Sequence, residues 1–259
     1  GPESPTTYTI TTSNVPDAPA APTVTLDSNG MDISIAFTAP ADHNNSITSY
    51  TVKFETSTGT YSSLAGICTS NMVSTRNCLA ISITTLKSLT QMALGSEIKV
   101  KIVATNLDGS SSDSAASSSS VLYSSIPTSA VTGLAVSVVS STQVSLTWTA
   151  QSTPGNGYSS ITTYTVEYKL SSDSTWQSGN TTASSPATIS GLTTLSTYYF
   201  RIKSTNAFGT GPTSSDSSVS ATLYGIPNVP AQPTLTQTSG STSIVVTWTA
   251  PANNGATIS

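Results

Sequence analysis

Along much of the chain apolar and polar residues alternate one for one. In VSLTWTA, Val144, Leu146 and Trp148 share one parity while Ser145, Thr147 and Thr149 take the other. YTVEYKL alternates Tyr164, Val166 and Tyr168 with Thr165, Glu167 and Lys169. YYFRIKSTN sets Tyr198, Phe200, Ile202 and Ser204 against Tyr199, Arg201 and Lys203. A period of two is the signature of antiparallel strands with one wet face. Pro and Gly punctuate the gaps, and no segment shows a sustained helical period. The pattern predicts an all-β chain, with seven short strands in about a hundred residues packed as a sandwich of two sheets.

The pattern also repeats. STQVSLTWTA (141–150) returns as STSIVVTWTA (241–250), so Trp148 and Trp248 occupy equivalent positions, as do Pro127 and Pro227, and Asn106 and Asn206. Earlier in the chain Pro16 answers to Pro127, and Phe37 in ISIAFTAP stands where the other copies have Trp. A unit of this length can fold alone. Each Trp lies on the inward parity of its strand, where a large ring contributes ~2–3 kcal/mol by burial and sets the spacing between sheets. The expected core positions are Phe37, Tyr50, Trp148, Tyr164, Leu192, Tyr198, Phe200 and Trp248.

Composition narrows the class. Charged residues are only 8% of the chain and the net charge is -4, while Ser and Thr exceed a third of all residues. Hydroxyl side chains suit strands and turns. No apolar run reaches the ~20 residues of a spanning helix, so no membrane insertion is expected in this segment. The eight Lys and Arg look scattered along the sequence, without a cluster that would track phosphates, which argues against nucleic acid.

Taken together, the Pro-rich entry, the Trp strand ending in Thr-Ala, Tyr164-Thr165-Val166, Leu192, and Tyr198-Tyr199-Phe200-Arg201-Ile202 followed by Asn206 and Gly209 resemble a fibronectin type III module. The resemblance covers nearly the whole chain and implies tandem immunoglobulin-like sandwiches. The first copy departs from it twice: Phe37 replaces the Trp, and Ile98 replaces the Tyr at position 198, so the hydroxyl bond of that corner is absent. Gly95 is the residue that would let the chain turn there. Residues 1–15 align with the last strand of a preceding module, 16–126 and 127–226 with whole modules, and 227–259 with the first two strands of another. Two strands cannot bury a sandwich core, so the natural chain is expected to continue in both directions.

Cys68 and Cys78 bracket TSNMVSTRN in a region where the first copy is longer than the second. Three readings stand: a zinc site, for which only His43 offers a further ligand, free thiols, or a disulfide. The secreted character of the resembling modules favours the disulfide, with an oxidising compartment. The cysteine-bracketed insertion is also similar to loops in large module-rich surface proteins of ciliated protists, which implies a long extracellular chain.

Candidates for chemistry are few. His43, the single histidine, lies in a loop beside Asp42 and reads as solvated. Asp108 and Asp113 supply too few oxygens, at no recognised spacing, for calcium. Gly209-Thr210-Gly211-Pro212 reads as a hairpin turn rather than a phosphate loop. Asn44 and Asn180 fit the glycan acceptor pattern and fall in predicted loops. Ser117 to Ser120 could carry O-linked sugar on composition alone. No Arg-Gly-Asp tripeptide occurs. The reading is therefore non-catalytic and cofactor-free: a secreted or cell-surface structural array whose partners are neighbouring modules in cis and identical chains laterally. The alternatives are an adhesion or receptor ectodomain that binds a protein or glycan, and a spacer of a secreted enzyme. Edge strands with little Lys or Pro protection favour lateral pairing.

Overall fold

The computed structural model describes residues 12–70, 72–215 and 219–258. The expected strand of a preceding module falls mainly on residues 1–11, outside that range. The chain divides into two compact units. Unit 1 is Gly1–Ile126 with the short pieces Gly157–Ser160 and Ala207–Gly209; unit 2 is Pro127–Asn156, Ile161–Asn206 and Thr210–Ser259.

In unit 1, β1 (Thr23–Leu26), β2 (Asp32–Ala36), β3 (Ser49–Ser57) and β4 (Thr60–Ser62) precede α1 (Met72–Thr75), β5 (Asn77–Ser82) and α2 (Ile83–Thr90). β6 (Val100–Asn106) and β7 (Gly109–Ser110) follow. One sheet runs β1-β2-β5 and the other β4-β3-β6-β7. The alternation read from sequence becomes two apolar inner faces. Ile33 and Ile35 from one sheet, and Phe54, Val100 and Ile102 from the other, are at most 1% exposed. Phe37 and Tyr50 are also buried, with ring centroids 4.8 Å apart and tilted.

Helix α2 was not expected. Ser82 caps it by accepting from Thr85 N–H, Ile83, Leu86 and Thr90 face inward, and Gln91 closes it in the left-handed region. The extra length of this unit is therefore divided between two segments. One is the cysteine loop between β4 and β5; the other is the α2 segment between β5 and β6.

The corner differs between the two units. In unit 2 the Tyr198 hydroxyl accepts from Thr193 N–H at 3.1 Å. In unit 1 the equivalent Ile98 is fully buried, and a hydroxyl enters instead from Tyr123, which is 1% exposed and 3.1 Å from Thr90 Oγ1 at the end of α2. The unit 2 residue equivalent to Tyr123 is Leu223, 1% exposed. The two units thus exchange an aromatic and an aliphatic side chain between two neighbouring core positions. Gly95 has φ +82° and sits where the turn was expected.

Unit 2 contains β8 (Thr132–Ser140), β9 (Gln143–Thr149), β10 (Ile161–Leu170) and β11 (Gln177–Thr182). β12 (Ala187–Ser190), β13 (Thr197–Asn206), β14 (Gly209–Thr210) and β15 (Ser220–Thr222) follow. Its sheets run β12-β9-β8 and β11-β10-β13-β14, with β15 also on β13. β13 alternates strictly between buried and half-buried positions along its length. Trp148, Tyr164, Leu192, Tyr198 and Phe200 lie in one buried cluster. Trp148 and Tyr164 repeat the Phe37–Tyr50 pair, with centroids 5.3 Å apart.

Trp248 departs from expectation. It is 68% exposed, beside β16 (Thr234–Gln237) and β17 (Ile244–Thr247), which pair with each other. Leu235, Ile244 and Val246 are exposed as well. Among the described residues no second sheet faces this hairpin, so inward parity has nothing to be inward against.

Candidate interaction face

The outer faces of the larger sheets hold the charge that looked scattered in the sequence. Because Val52, Phe54, Val100 and Ile102 point inward, Lys53, Lys99 and Lys101 point outward; by the same parity Lys169, Arg201 and Lys203 point outward in unit 2. Six of the chain's eight basic residues therefore stand on these two faces. Sequence missed this because each strand contributes only one or two, and pairing of β3 with β6 and β10 with β13 brings them together.

Each face is partly compensated, by two carboxylates in unit 1 and one in unit 2. Lys53 and Lys101 are directly opposite one another, a repulsive arrangement, but Asp113 lies 2.6 Å from Lys53 Nζ and 3.9 Å from Lys101 Nζ. Lys101 Nζ also stands 4.6 Å from the Tyr61 ring centroid. Lys99 pairs with Glu97 at 3.4 Å. In unit 2 Glu167 accepts from Arg201 Nε at 2.5 Å and Lys203 Nζ at 2.6 Å. The Arg201 guanidinium lies 4.3 Å, and Lys169 Nζ 5.2 Å, from the Trp176 ring centroid. Burial opposes ionisation of Glu167, but the two cationic hydrogen bonds outweigh it and hold its pKa below the ordinary 4.5.

Beside the unit 1 face runs a segment that the sequence presented only as Ser-rich. From 111 to 117 its burial repeats every three residues, with Ser111, Ser114 and Ser117 buried. Each gives its N–H to, and its Oγ accepts from, one β6 residue: Ser111 with Ala104, Ser114 with Ile102, Ser117 with Val100, all at 2.8–3.0 Å. Ser214 makes the same pair of bonds with Ile202 in unit 2. A hydroxyl thus takes the place of the backbone carbonyl that a regular strand would offer. Ser117 is unavailable for sugar attachment, while Ser118 and Ser120 are exposed.

The remaining candidates fall as follows. Cys68 and Cys78 form a disulfide across a separation of 10 residues. The loop it closes sends Met72 into the core, with Leu64, Ile67 and Val73 packed against it. His43 Nε2 lies 2.9 Å from Asp17 rather than pairing with Asp42, and both side chains are exposed. Asp108 accepts from Asn45, which holds its carboxyl below the usual range; Asp113 serves the lysines, so the two carboxylates are committed to different partners. Asn106 explains its repetition at 206. Its Oδ1 accepts from Asp108 and Gly109 N–H while Nδ2 donates to Asn14 O and Asn45 O, and Asn206 Nδ2 donates to Asn156 O. Gly209 and Thr210 are already on β14, and the turn sits at Ala207 and Phe208. Asn44 is exposed in a loop, as expected. Asn180 is not in a loop but half-buried on β11, its Nδ2 3.4 Å from Thr188 O, because the strand extends through the sequence read as a connection.

Two sheets of three and four or more strands, packed about one core and repeated, define the class as a tandem β-sandwich protein. Residues 129–220 match the family model described as "Fibronectin type III domain". No curated protein matches the sequence. Among solved structures the chain is similar to a multidomain segment of titin (18% identity, covering 81% of this chain and 61% of that one, TM-score 0.43). It is also similar to the FN1–FN3 domains of chicken CNTN1 (19%, 78% and 65%, TM-score 0.37). Titin kinase with its flanking domains matches at 31% identity over 35% of this chain and 16% of that one, with TM-score 0.33. The chain spans less than two thirds of each of these structures.

Proposed function

We propose that the chain is a non-catalytic segment of a secreted or cell-surface modular array, in which repeated sandwiches serve as spacers. The observation that carries this reading is that each unit has its own closed core and its own hydroxyl latch on the strand that ends at Asn106 or Asn206. The repeated residues are spent on folding the same module twice. The disulfide supports an oxidising compartment, since such bonds persist there and are reduced in the cytosol. Asn44, exposed, is the better glycan acceptor of the two candidates. The modules at 16–126 and 127–226 act as successive links, and residues 227–259 belong to a third.

Identical chains associate laterally in this reading through hydroxyl-rich faces. They do not use the edge along residues 111–117, whose threefold conformation presents no regular ladder to a neighbour. Single-molecule stretching of the chain tests the spacer role: separate unfolding events for the two units are expected, and one concerted event would overturn independent modules. Electron microscopy over rising concentration tests association, with side-by-side bundles expected and isolated strings at every concentration counting against it.

A further inference from the structure

A cleft of about 610 Å³ opens on unit 1 between Tyr61 of β4, the Glu97–Lys99 segment leading into β6, and the strap Ala116–Ser120. Its size lies within the roughly 300–1,000 Å³ of small-molecule sites. Its walls are fixed before any ligand arrives. Ser117 is tied to Val100 through both its N–H and its Oγ. Ser119 Oγ accepts from Val121 N–H at 2.9 Å, and Glu97 bridges to Leu122. The Tyr61 ring is seated by Lys101 at 4.6 Å, and Lys101 is itself held near Asp113.

The chemistry of the lining is specific. One aromatic ring offers an apolar face. The exposed carboxylate of Glu97 accepts hydrogen bonds, the exposed ammonium of Lys99 donates them, and the hydroxyls of Ser118 and Ser120 do both. Within the lining Glu97 and Lys99 cancel in charge, so the lining itself carries no net charge to select an anion. Apart from the ring, Ala116 is the only apolar residue in the lining, too little to hold an apolar peptide side chain. A pyranose matches this surface: its C–H face stacks on an aromatic ring while its rim of hydroxyls needs donors and acceptors together.

We infer that this cleft is a binding site for a neutral saccharide. The site is peculiar to unit 1, because the unit 2 residues equivalent to Glu97 and Lys99 are Thr197 and Tyr199, and Thr197 is engaged with Thr222 Oγ1 at 2.7 Å. One saccharide therefore binds per chain. The site does not depend on the array reading, since a spacer can carry it.

The test titrates the whole chain with neutral cello-, malto-, manno- and chito-oligosaccharides, and separately with a sulfated heparin oligosaccharide, using saturation-transfer NMR and calorimetry. At least one neutral probe is expected to bind at one site per chain, with Kd of about 1 mM or tighter. Tyr61→Ala should weaken it by about tenfold or more, a loss of ~1.4 kcal/mol. Tyr61→Phe, which keeps the ring, should stay near the parent. Glu97→Gln and Lys99→Met, at the exposed rim, give the same test without disturbing a strand and should each weaken binding. The inference is overturned by any one of three results: no neutral probe binds, only the sulfated probe binds, or a neutral probe binds unchanged in Tyr61→Ala and both rim variants.

Discussion

Replacing Ser114 by Ala removes one hydroxyl from the latch on β6. The Ile102 N–H that it served lies on a fully buried residue, 2.9 Å from Ser114 Oγ, and Ser114 itself is 2% exposed. Water does not reach the donor, so the variant loses a hydrogen bond and orphans a buried N–H, at a cost of about 1–3 kcal/mol. For a unit of roughly a hundred residues, 1 kcal/mol moves the melting temperature by about 4–8 °C, so the expected shift is about 4–24 °C. The assay must separate the units, and the sequence supplies the means. All three tryptophans, Trp148, Trp176 and Trp248, lie outside unit 1. Tryptophan fluorescence therefore reports unit 2 unfolding, while amide hydrogen exchange at Ile102 reports unit 1. Ser114→Ala should lower the unit 1 transition and the Ile102 protection and leave the tryptophan transition in place. Ser112→Ala, at an exposed position of the same segment, should do neither. If Ser114→Ala behaves like Ser112→Ala, within about 0.5 kcal/mol, the latch contributes nothing and the account of this segment is wrong.

Three further outcomes follow from the packing and the charges. Trp148 is 7% exposed and its Nε1 is buried without a partner among the described residues, so Trp148→Ala should cost about 3–5 kcal/mol in urea unfolding of unit 2. Trp148→Phe, which copies Phe37 and removes the orphaned donor, should cost much less; Trp248→Ala should change stability by less than about 0.5 kcal/mol. Reduction of Cys68–Cys78 reopens a loop of about ten residues and should destabilise unit 1 by ~2–3 kcal/mol on the chain-entropy account, read as a lower midpoint with reductant and no change in a Cys68→Ser/Cys78→Ser double variant. Glu167 has a folded pKa below its ordinary 4.5, so its stabilising contribution is complete above that value and is lost as pH falls through the folded value. Acid titration of the tryptophan transition should show that loss, and Glu167→Gln should flatten it.

Some features were legible in the sequence because they depend on local periodicity. Alternation in VSLTWTA and YYFRIKSTN is a property of single strands, and the inner face of a half-wet sheet must carry the apolar parity. The repeat at Trp148, Pro127 and Asn106 was legible because each module solves the same packing problem with the same residues. Helix α2 left a weaker trace: Ser82 as cap and Ile83, Leu86 and Thr90 on one face, eight residues in all, too few for a helical period to stand out against strand-like surroundings.

What the chain by itself determined, then, was strand identity, inner parity and the modular plan, since these are set by which side chains can leave water. Only the tertiary structure decided which residues from different strands meet. Strand pairing gathered six separated basic residues onto two faces and placed Tyr61, Glu97 and Lys99 around one cleft. It turned a Ser-rich stretch into a backbone-like partner for β6, brought the Tyr123 hydroxyl to Thr90 at the end of α2, and put Asn180 on a strand. It also left Trp248 in water, because inward parity buries a side chain only when an opposing sheet is there to cover it.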